Sequence, residues 1–299
     1  MTTVTSASVL YILSLQSETS KVAMKSTLNL IAKKLQGVSS HTEADWSKLN
    51  YESVLTLMNT LKAEGLSPAR VNTYLAAVKG VAKYSWMNKS IDVEVYTWIQ
   101  QVKRLKGTRE TKGRSLVKGE LSKVISHCVD KGSVLGVRDA ALFATMYSAG
   151  LRRQEVVNLN VEDINLVTNE ILIKGKNNKH RTTVINDNSM KLIKNYMKVR
   201  GNITAGTLFS RCRKGGKFTG ESISTQAVYN IVCGTATELG LPKMSCHDYR
   251  RSFCTDLLEN GTDLFTVSKL MGHADINTTR TYDKRGSGVK DAASAGLTF

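Results

Sequence analysis

The sequence predicts a mainly α-helical fold with a small antiparallel β-sheet, divided between two domains. Three observations lead there. The chain has 299 residues, too many for one typical core and suited to two. Residues 1–106 carry apolar side chains at helical spacing, one stretch after another. Residues 118–285 mix such stretches with short runs of strand character. A composition of 41% hydrophobic and 22% charged residues is that of an ordinary soluble globule. With two prolines, Pro68 and Pro242, a disordered Pro-rich protein is excluded.

In the first part, Lys21–Gln36 places Val22, Met24, Leu28, Leu30, Ile31 and Leu35 as a helix would, and Gly37 can stop it. Leu49–Leu61 repeats the pattern through Val54, Leu55, Leu57, Met58 and Leu61, ending at Gly65. Ser67-Pro68 is a strong helix start, because Ser caps and Pro suits the first turn. Val71, Tyr74, Leu75, Val78 and Val81 then line one face. Val93–Val102 supplies a fourth helix. In the second part, Lys118–Val129 and Val137–Ala149 read as helices. Val161–Leu166, Glu170–Lys174 and Thr182–Ile185 read as strands, with Gly175–Arg181 (GKNNKHR) a polar basic turn. Helices return at Met190–Val199, Thr225–Leu239, His247–Glu259 and Thr262–Met271.

Charge points to the partner. Lys and Arg total 42 against 25 Asp and Glu, a formal +17, which favours nucleic acid first and an acidic membrane surface second. Aromatic residues at 6% argue against a stacking platform for single strands. The stretch Lys103–Lys118 holds Lys103, Arg104, Lys106, Arg109, Lys112, Arg114 and Lys118 against Glu110. It reads as an interdomain linker over 107–117, either simply solvated or laid along a phosphate backbone. Cys128, Cys212, Cys233, Cys246 and Cys254 are odd in number and form no CxxC pair. That disfavours a disulfide scaffold or a zinc framework and suits a reducing cytoplasm. No apolar run reaches the roughly 18 residues a membrane span needs, and the N-terminus lacks the basic region of a signal peptide.

Polar groups gather in four places. Gly150-Leu151-Arg152-Arg153-Gln154-Glu155 follows the apolar run ALFATMYSA, and a short helix would put Arg152 and Glu155 on one face. Lys176 lies in the turn GKNNKHR. His247-Asp248-Tyr249-Arg250 puts His247 and Arg250 on one helical face. Leu270-Met271-Gly272-His273 is followed nine residues later by Tyr282 in TRTYDK. Singly these are weak: a lone arginine is commonly a surface cation, a lone histidine structural, a lone tyrosine packing. Together they form one constellation.

On GLRRQE, GKNNK, HDYRRSF, LMGH and TYDK the sequence resembles the tyrosine recombinase (phage integrase-like) family, of the two-domain Xer-like type. GLSPARVNTYLAAVKGVAKY (65–84) resembles the family's helical core-binding domain, so the likeness covers nearly the whole chain. It implies a helical (SAM-like) DNA-binding domain over 1–106, an α+β catalytic domain over 118–285, and a tail over 286–299 for subunit contact or a frayed end. By resemblance the catalytic residues are Arg152, Lys176, His247, Arg250, His273 and Tyr282. Asn177 stands where the family usually has Gly, which brings Lys179 into competition with the preferred Lys176. Cys246 stands where a Pro is frequent.

The implied chemistry follows from charge. Arg152 and Arg250 can fork onto the non-bridging oxygens of a phosphorane-like transition state, and His273 can add a hydrogen bond. Tyr282 is the nucleophile; a free phenol ionises near 10, so it needs a base, for which His247 is placed. Lys176 would protonate the leaving 5′ oxygen, and the product is a 3′-phosphotyrosine. No GxxxxGK[ST] run or paired-metal carboxylate cluster occurs, so neither cofactor nor metal is expected. Glu155 is expected to brace an arginine, and Asp248 and Asp283 to lie on the surface. Arg153 and Arg251 read as phosphate contacts or ion-pair partners, and RCRKGGK (211–217) as a turn or a backbone clamp. Helix 68–84, through Arg70, Asn72, Lys79 and Lys83, is either a groove reader or a plain amphipathic helix. Expected partners are double-stranded DNA, further copies of the chain (a dimer on a core site, a tetramer in the synapse) and accessory DNA-binding proteins, with no membrane. The competing functions are a type IB-like topoisomerase and a DNA-binding regulator without chemistry.

Overall fold

The computed structural model describes residues 5–107, 113–175, 179–201, 204–273 and 275–283. Its fold is mostly helical with small antiparallel sheets, and the chain divides into two compact units, Met1–Lys112 and Gly113–Phe299.

The first unit contains α1 (Ala7–Leu13), α2 (Glu18–Gln36), α3 (Tyr51–Ala63), α4 (Pro68–Met87) and α5 (Val93–Gln101). Side-chain caps fix three of the starts. Ser17 accepts from the Ser20 amide, Asn50 and Ser53 cap each other's backbone, and Ser67 accepts from Arg70 with Pro68 in the first turn. Each such cap is worth about 1 kcal/mol. The unit is built around α4, whose Val71, Leu75, Val78 and Val81 are buried with Leu28, Ile31, Val54, Leu57 and Leu61. Each such aliphatic side chain contributes roughly 1.5–3 kcal/mol by leaving water.

The sequence reading gave this unit four helices; α1 is a fifth. Its seven residues are too few for a periodic signal. Its Tyr11 ring lies against Gly80 of α4, where a Cβ would sit 2.3 Å from a ring carbon. His41 is structural: its Nδ1 bonds the Ser8 hydroxyl at 2.9 Å and its carbonyl accepts from the Trp46 indole. Two of the four residues that suggested a groove-reading face on α4 are occupied within the unit. Asn72 bonds both backbone groups of Leu105, and the Lys79 ammonium donates to the carbonyls of Gln100 and Val102, closing the C-terminal end of α5.

The second unit begins with α6 (Glu120–Asp130), α7 (Val134–Ser148) and α8 (Arg153–Val157). An antiparallel sheet follows, β1 (Ile164–Asn165), β2 (Glu170–Lys174) and β3 (His180–Val184), in that spatial order. After it come α9 (Asp187–Arg200), β4 (Ser210–Cys212), β5 (Phe218–Ser222), α10 (Thr225–Glu238), α11 (Cys246–Glu259), α12 (Leu264–Met271) and α13 (Ile276–Arg280). Helix α7 is buried on every side from Ala140 to Met146, because α6, α9 and α11 all pack on it. The strand expected over 161–166 shrinks to β1: the Asn160 amide donates to Asp163 Oδ2 and the Asp163 amide to the Asn160 carbonyl, winding Val161–Asp163 into a 3₁₀ turn. RCRKGGK belongs to a second hairpin, β4–β5, with Gly215 and Gly216 at positive φ and Arg211 paired with Glu221 across it.

Residues 113–117, read as linker, are docked on the second unit. Arg114 forks onto Glu120 at 2.5 and 3.0 Å, and the Leu116 amide donates to Ser252. Residues 108–112 of that stretch and the tail 286–299 lie outside the described residues.

Candidate active site

The site is assembled where α7, α11 and α12 end or begin. Helix α7 stops at Gly150 with φ +56°, a left-handed turn that favours glycine. A Cβ there would also come within 2.5 Å of the Phe253 ring. The chain then turns through Arg152 into α8, and Glu155 reaches back to accept the Arg152 amide at 2.8 Å. Arg152 Nη1 donates to Glu155 Oε1 at 2.8 Å, and its Nη2 to the Gly272 carbonyl at 3.2 Å. Much of the Arg152 side chain remains open to solvent.

Helix α11 presents His247 and Arg250 on one face, as their spacing predicts. Arg250 is 1% exposed. Its Nη1 donates to the Gly150 carbonyl at 2.5 Å and its Nη2 to the Met271 carbonyl. These are the terminal acceptors of α7 and α12, so two helix C-terminal ends orient the guanidinium without cancelling its charge. Burial first, then the Arg152 charge, pull Arg250 down to about 9, still cationic at neutral pH.

Gly272, at φ +60°, ends α12 and delivers His273. His273 Nδ1 lies 2.7 Å from the buried Thr279 hydroxyl. When that hydroxyl donates, the neutral ring keeps its proton on Nε2. Two residues past α13, Tyr282 returns to the same place. Its ring is 7% exposed, packed on Phe253, Leu258, Val267 and Met271, while its hydroxyl lies 2.8 Å from His247 Nε2. The His273 ring stacks 6.2 Å away, and the Arg251 guanidinium carbon lies 5.2 Å from the centre of the Tyr282 ring.

Burial, followed by Arg250, lowers the pKa of both histidines. For His247 Arg251 adds to the effect; for His273 Arg152 does, and His273 falls to about 4. Both rings are therefore neutral near pH 7, and His247 can accept a proton. Burial alone would raise Glu155, but hydrogen bonds from Arg181 and then Arg152 outweigh it and hold the carboxyl near 2. Arg152, Arg153, Tyr229, Ser245, Cys246 and His247 line a cleft of about 420 Å³. The arrangement is a cationic pocket holding a tyrosine hydroxyl against a neutral base. That suits nucleophilic attack on an anionic phosphoryl group.

A sequence profile described as the phage integrase family matches residues 114–286. The chain belongs to the phage integrase family. It is a tyrosine recombinase of Xer-like type: it is 30% identical over 233 residues to tyrosine recombinase XerA of Pyrococcus furiosus, covering 77% of this chain and 74% of that one. To tyrosine recombinase XerD of Listeria monocytogenes it is 29% identical over 244 residues, 80% and 79% of the two chains. Among solved structures it resembles the Tn1549 transposon integrase in complex with circular intermediate DNA. There the TM-score is 0.70 at 16% identity, over 98% and 99% of the chains. XerH bound to a palindromic difH substrate, post-cleavage, gives 0.65 at 24%, over 91% and 79%. Neither comparison favours the topoisomerase or the regulator.

The recombinase brings together five of the six residues expected from the sequence, Arg152, His247, Arg250, His273 and Tyr282. Lys176, with its neighbours 177 and 178, lies outside the described residues. Glu155 braces Arg152, as expected. Asp248 corrects an expectation: far from lying on the surface, it is 3% exposed. It caps α11 through the Ser245 amide and hydroxyl and accepts from the Arg114 amide. Sequence reasoning missed Arg181, which forks onto Glu155, and Thr279, which sets His273. Arg181 reads in the sequence as the end of the turn 175–181, and only the fold shows it on the same strand face as the buried Thr183.

Proposed function

We propose that this recombinase cuts and rejoins double-stranded DNA at specific sites, with Tyr282 as nucleophile. The Tyr282 oxygen attacks the scissile phosphorus and its proton passes to His247 Nε2. The bond from phosphorus to the 5′ oxygen breaks, leaving a 3′-phosphotyrosine. Lys176 gives that 5′ oxygen a proton, so a 5′-hydroxyl is released. Attack by a 5′-hydroxyl from a second duplex reverses each step and completes exchange. Arg152 and Arg250 hold the non-bridging oxygens, and His273 Nε2–H adds a third donor. The observation that carries this reading is the 2.8 Å contact between Tyr282 and His247 beside a buried, oriented Arg250.

Two protomers on a core site and four in a synapse would allow exchange between duplexes, with the tail 286–299 as a candidate subunit contact and accessory DNA-binding proteins as further partners. The positive excess of the whole chain supports the duplex as ligand. A cytoplasmic setting is supported by five free cysteines. Exchange would serve integration and excision of an element or resolution of a replicon. The test is a nicked duplex carrying the tightest-binding site selected from a random-sequence pool. The wild-type chain should become covalently attached through Tyr282; attachment through another residue would refute the reading.

A further inference from the structure

One carboxylate stands among three guanidiniums at this site. Glu155 is 6% exposed. Its Oε1 accepts from Arg152 Nη1 at 2.8 Å, and Arg250 Nη1 stands 3.9 Å from its Oε2. Left to those two arginines, it would neutralise the charges that an incoming phosphate must meet. The third, Arg181, changes the balance. It projects from β3 opposite Ile173 of β2, and it addresses both carboxylate oxygens at once, Nη1 to Oε1 at 3.0 Å and Nη2 to Oε2 at 2.8 Å. This two-pronged geometry is the strongest a carboxylate can receive from one side chain.

Its surroundings fix Arg181 in that role. The side chain is far less exposed than that of Arg152, so it lies behind the clamp. Its guanidinium packs over Gly272, where a Cβ would meet Nη1 at 3.2 Å. The Gly272 carbonyl in turn accepts from Arg152 Nη2. Arg181 thus touches the carboxylate that competes for Arg152 and the turn that delivers His273.

We propose that Arg181 is a positioning residue for phosphoryl transfer: by engaging the Glu155 carboxylate with both prongs, it leaves Arg152 and Arg250 available to the scissile phosphate. This rests on the reading that those two arginines hold the phosphate. Burial lowers His273 most, then Arg250, Arg152 and His247, with the Arg181 charge adding a smaller push in the same direction.

The test uses the full chain and the selected nicked duplex, comparing single-turnover covalent attachment with duplex affinity. Arg181→Met should slow attachment at least ~10-fold while affinity changes less than ~3-fold. Adding Glu155→Gln should then recover at least ~5-fold, because a neutral amide no longer competes for Arg152. Removing Arg181 alone also leaves a buried carboxylate short of its partner, so urea midpoints of each variant are measured alongside. For a residue that merely held the fold together, attachment and duplex affinity would fall and recover together with stability, whereas a positioning residue changes attachment at near-constant affinity. Arg181→Lys, which keeps the charge and one prong, should fall between wild type and Arg181→Met. If Arg181→Met fails to fold by thermal unfolding, the same rescue is read in the Arg181→Lys background. The proposal is overturned if the double variant is no faster than the single, or if Arg181→Met attaches at the wild-type rate. Tyr282→Phe runs alongside: attachment there would refute the nucleophile itself, whatever Arg181 does.

Discussion

His247 Nε2 lies 2.8 Å from the Tyr282 hydroxyl across 35 residues of sequence. The contact is held from both sides, by the first turn of α11 and by the packing of the Tyr282 ring on Phe253 and Met271. Because burial and then Arg250 lower His247, the proposed base stays neutral to lower pH than a free histidine. The acid limb of kcat/KM for covalent attachment should therefore lie below pH 6.5, the ordinary histidine value. His247→Gln should lose roughly 10²–10⁴-fold in rate and lose that limb. An acid limb above pH 7 that persists in the variant would assign it to another group.

The two arginines should separate in stability while agreeing in activity. Arg250→Ala strips the partners from two buried helix-end carbonyls and opens a cavity, costing about 3–5 kcal/mol. Arg152→Ala removes a partly exposed side chain whose buried partner Glu155 keeps both bonds from Arg181, and should cost about 1 kcal/mol or less. Each should slow attachment by roughly 10²–10³-fold. Chemical denaturation beside single-turnover attachment measures both; equal stability losses would contradict the burial difference.

Stability should rise with pH through two windows. His273 falls to about 4 in the folded chain against about 6.5 unfolded, so the fold favours the neutral ring. That contribution is full above pH 6.5 and is lost as pH falls toward 4. Glu155, near 2 when folded, adds stability above pH 4.5 that is lost on further acidification. His273→Gln should flatten the dependence between pH 4 and 6.5, as read from urea midpoints, and leave the lower window in place.

On the proposed reading fixed cations do what a divalent ion does elsewhere: Arg152 and Arg250 would meet the phosphoryl oxygens, and His247 would take the proton. Attachment should run at an unchanged rate in excess EDTA. A rate that collapses and returns with Mg²⁺ would require another source of positive charge.

The mainly helical class with a small antiparallel sheet was legible because most elements carry their own signals. Ser67-Pro68 starts α4 as its residues predict, and Glu170–Lys174 is the strand its short apolar run Ile171-Leu172-Ile173 predicts. The His247–Arg250 pair was legible because one helix holds both at a fixed spacing. Arg181 was not, since its partner Glu155 lies 26 residues earlier on another element. Asp248 is expected at the surface because it points off the face that His247 and Arg250 share; it is met there by the backbone amide of Arg114, 134 residues away. Asn72 and Lys79 read equally as groove contacts or as polar residues of a plain amphipathic helix, and the backbone at 100–105 uses them.

The measurement that bears most directly on the site is denaturing-gel detection of a covalent complex on the selected nicked duplex, for wild type and Tyr282→Phe side by side. The geometry predicts an attached wild-type band whose peptide map places the nucleotide on Tyr282, and a Tyr282→Phe protein that binds the duplex without attaching. A Tyr282→Phe chain that still becomes attached would contradict it.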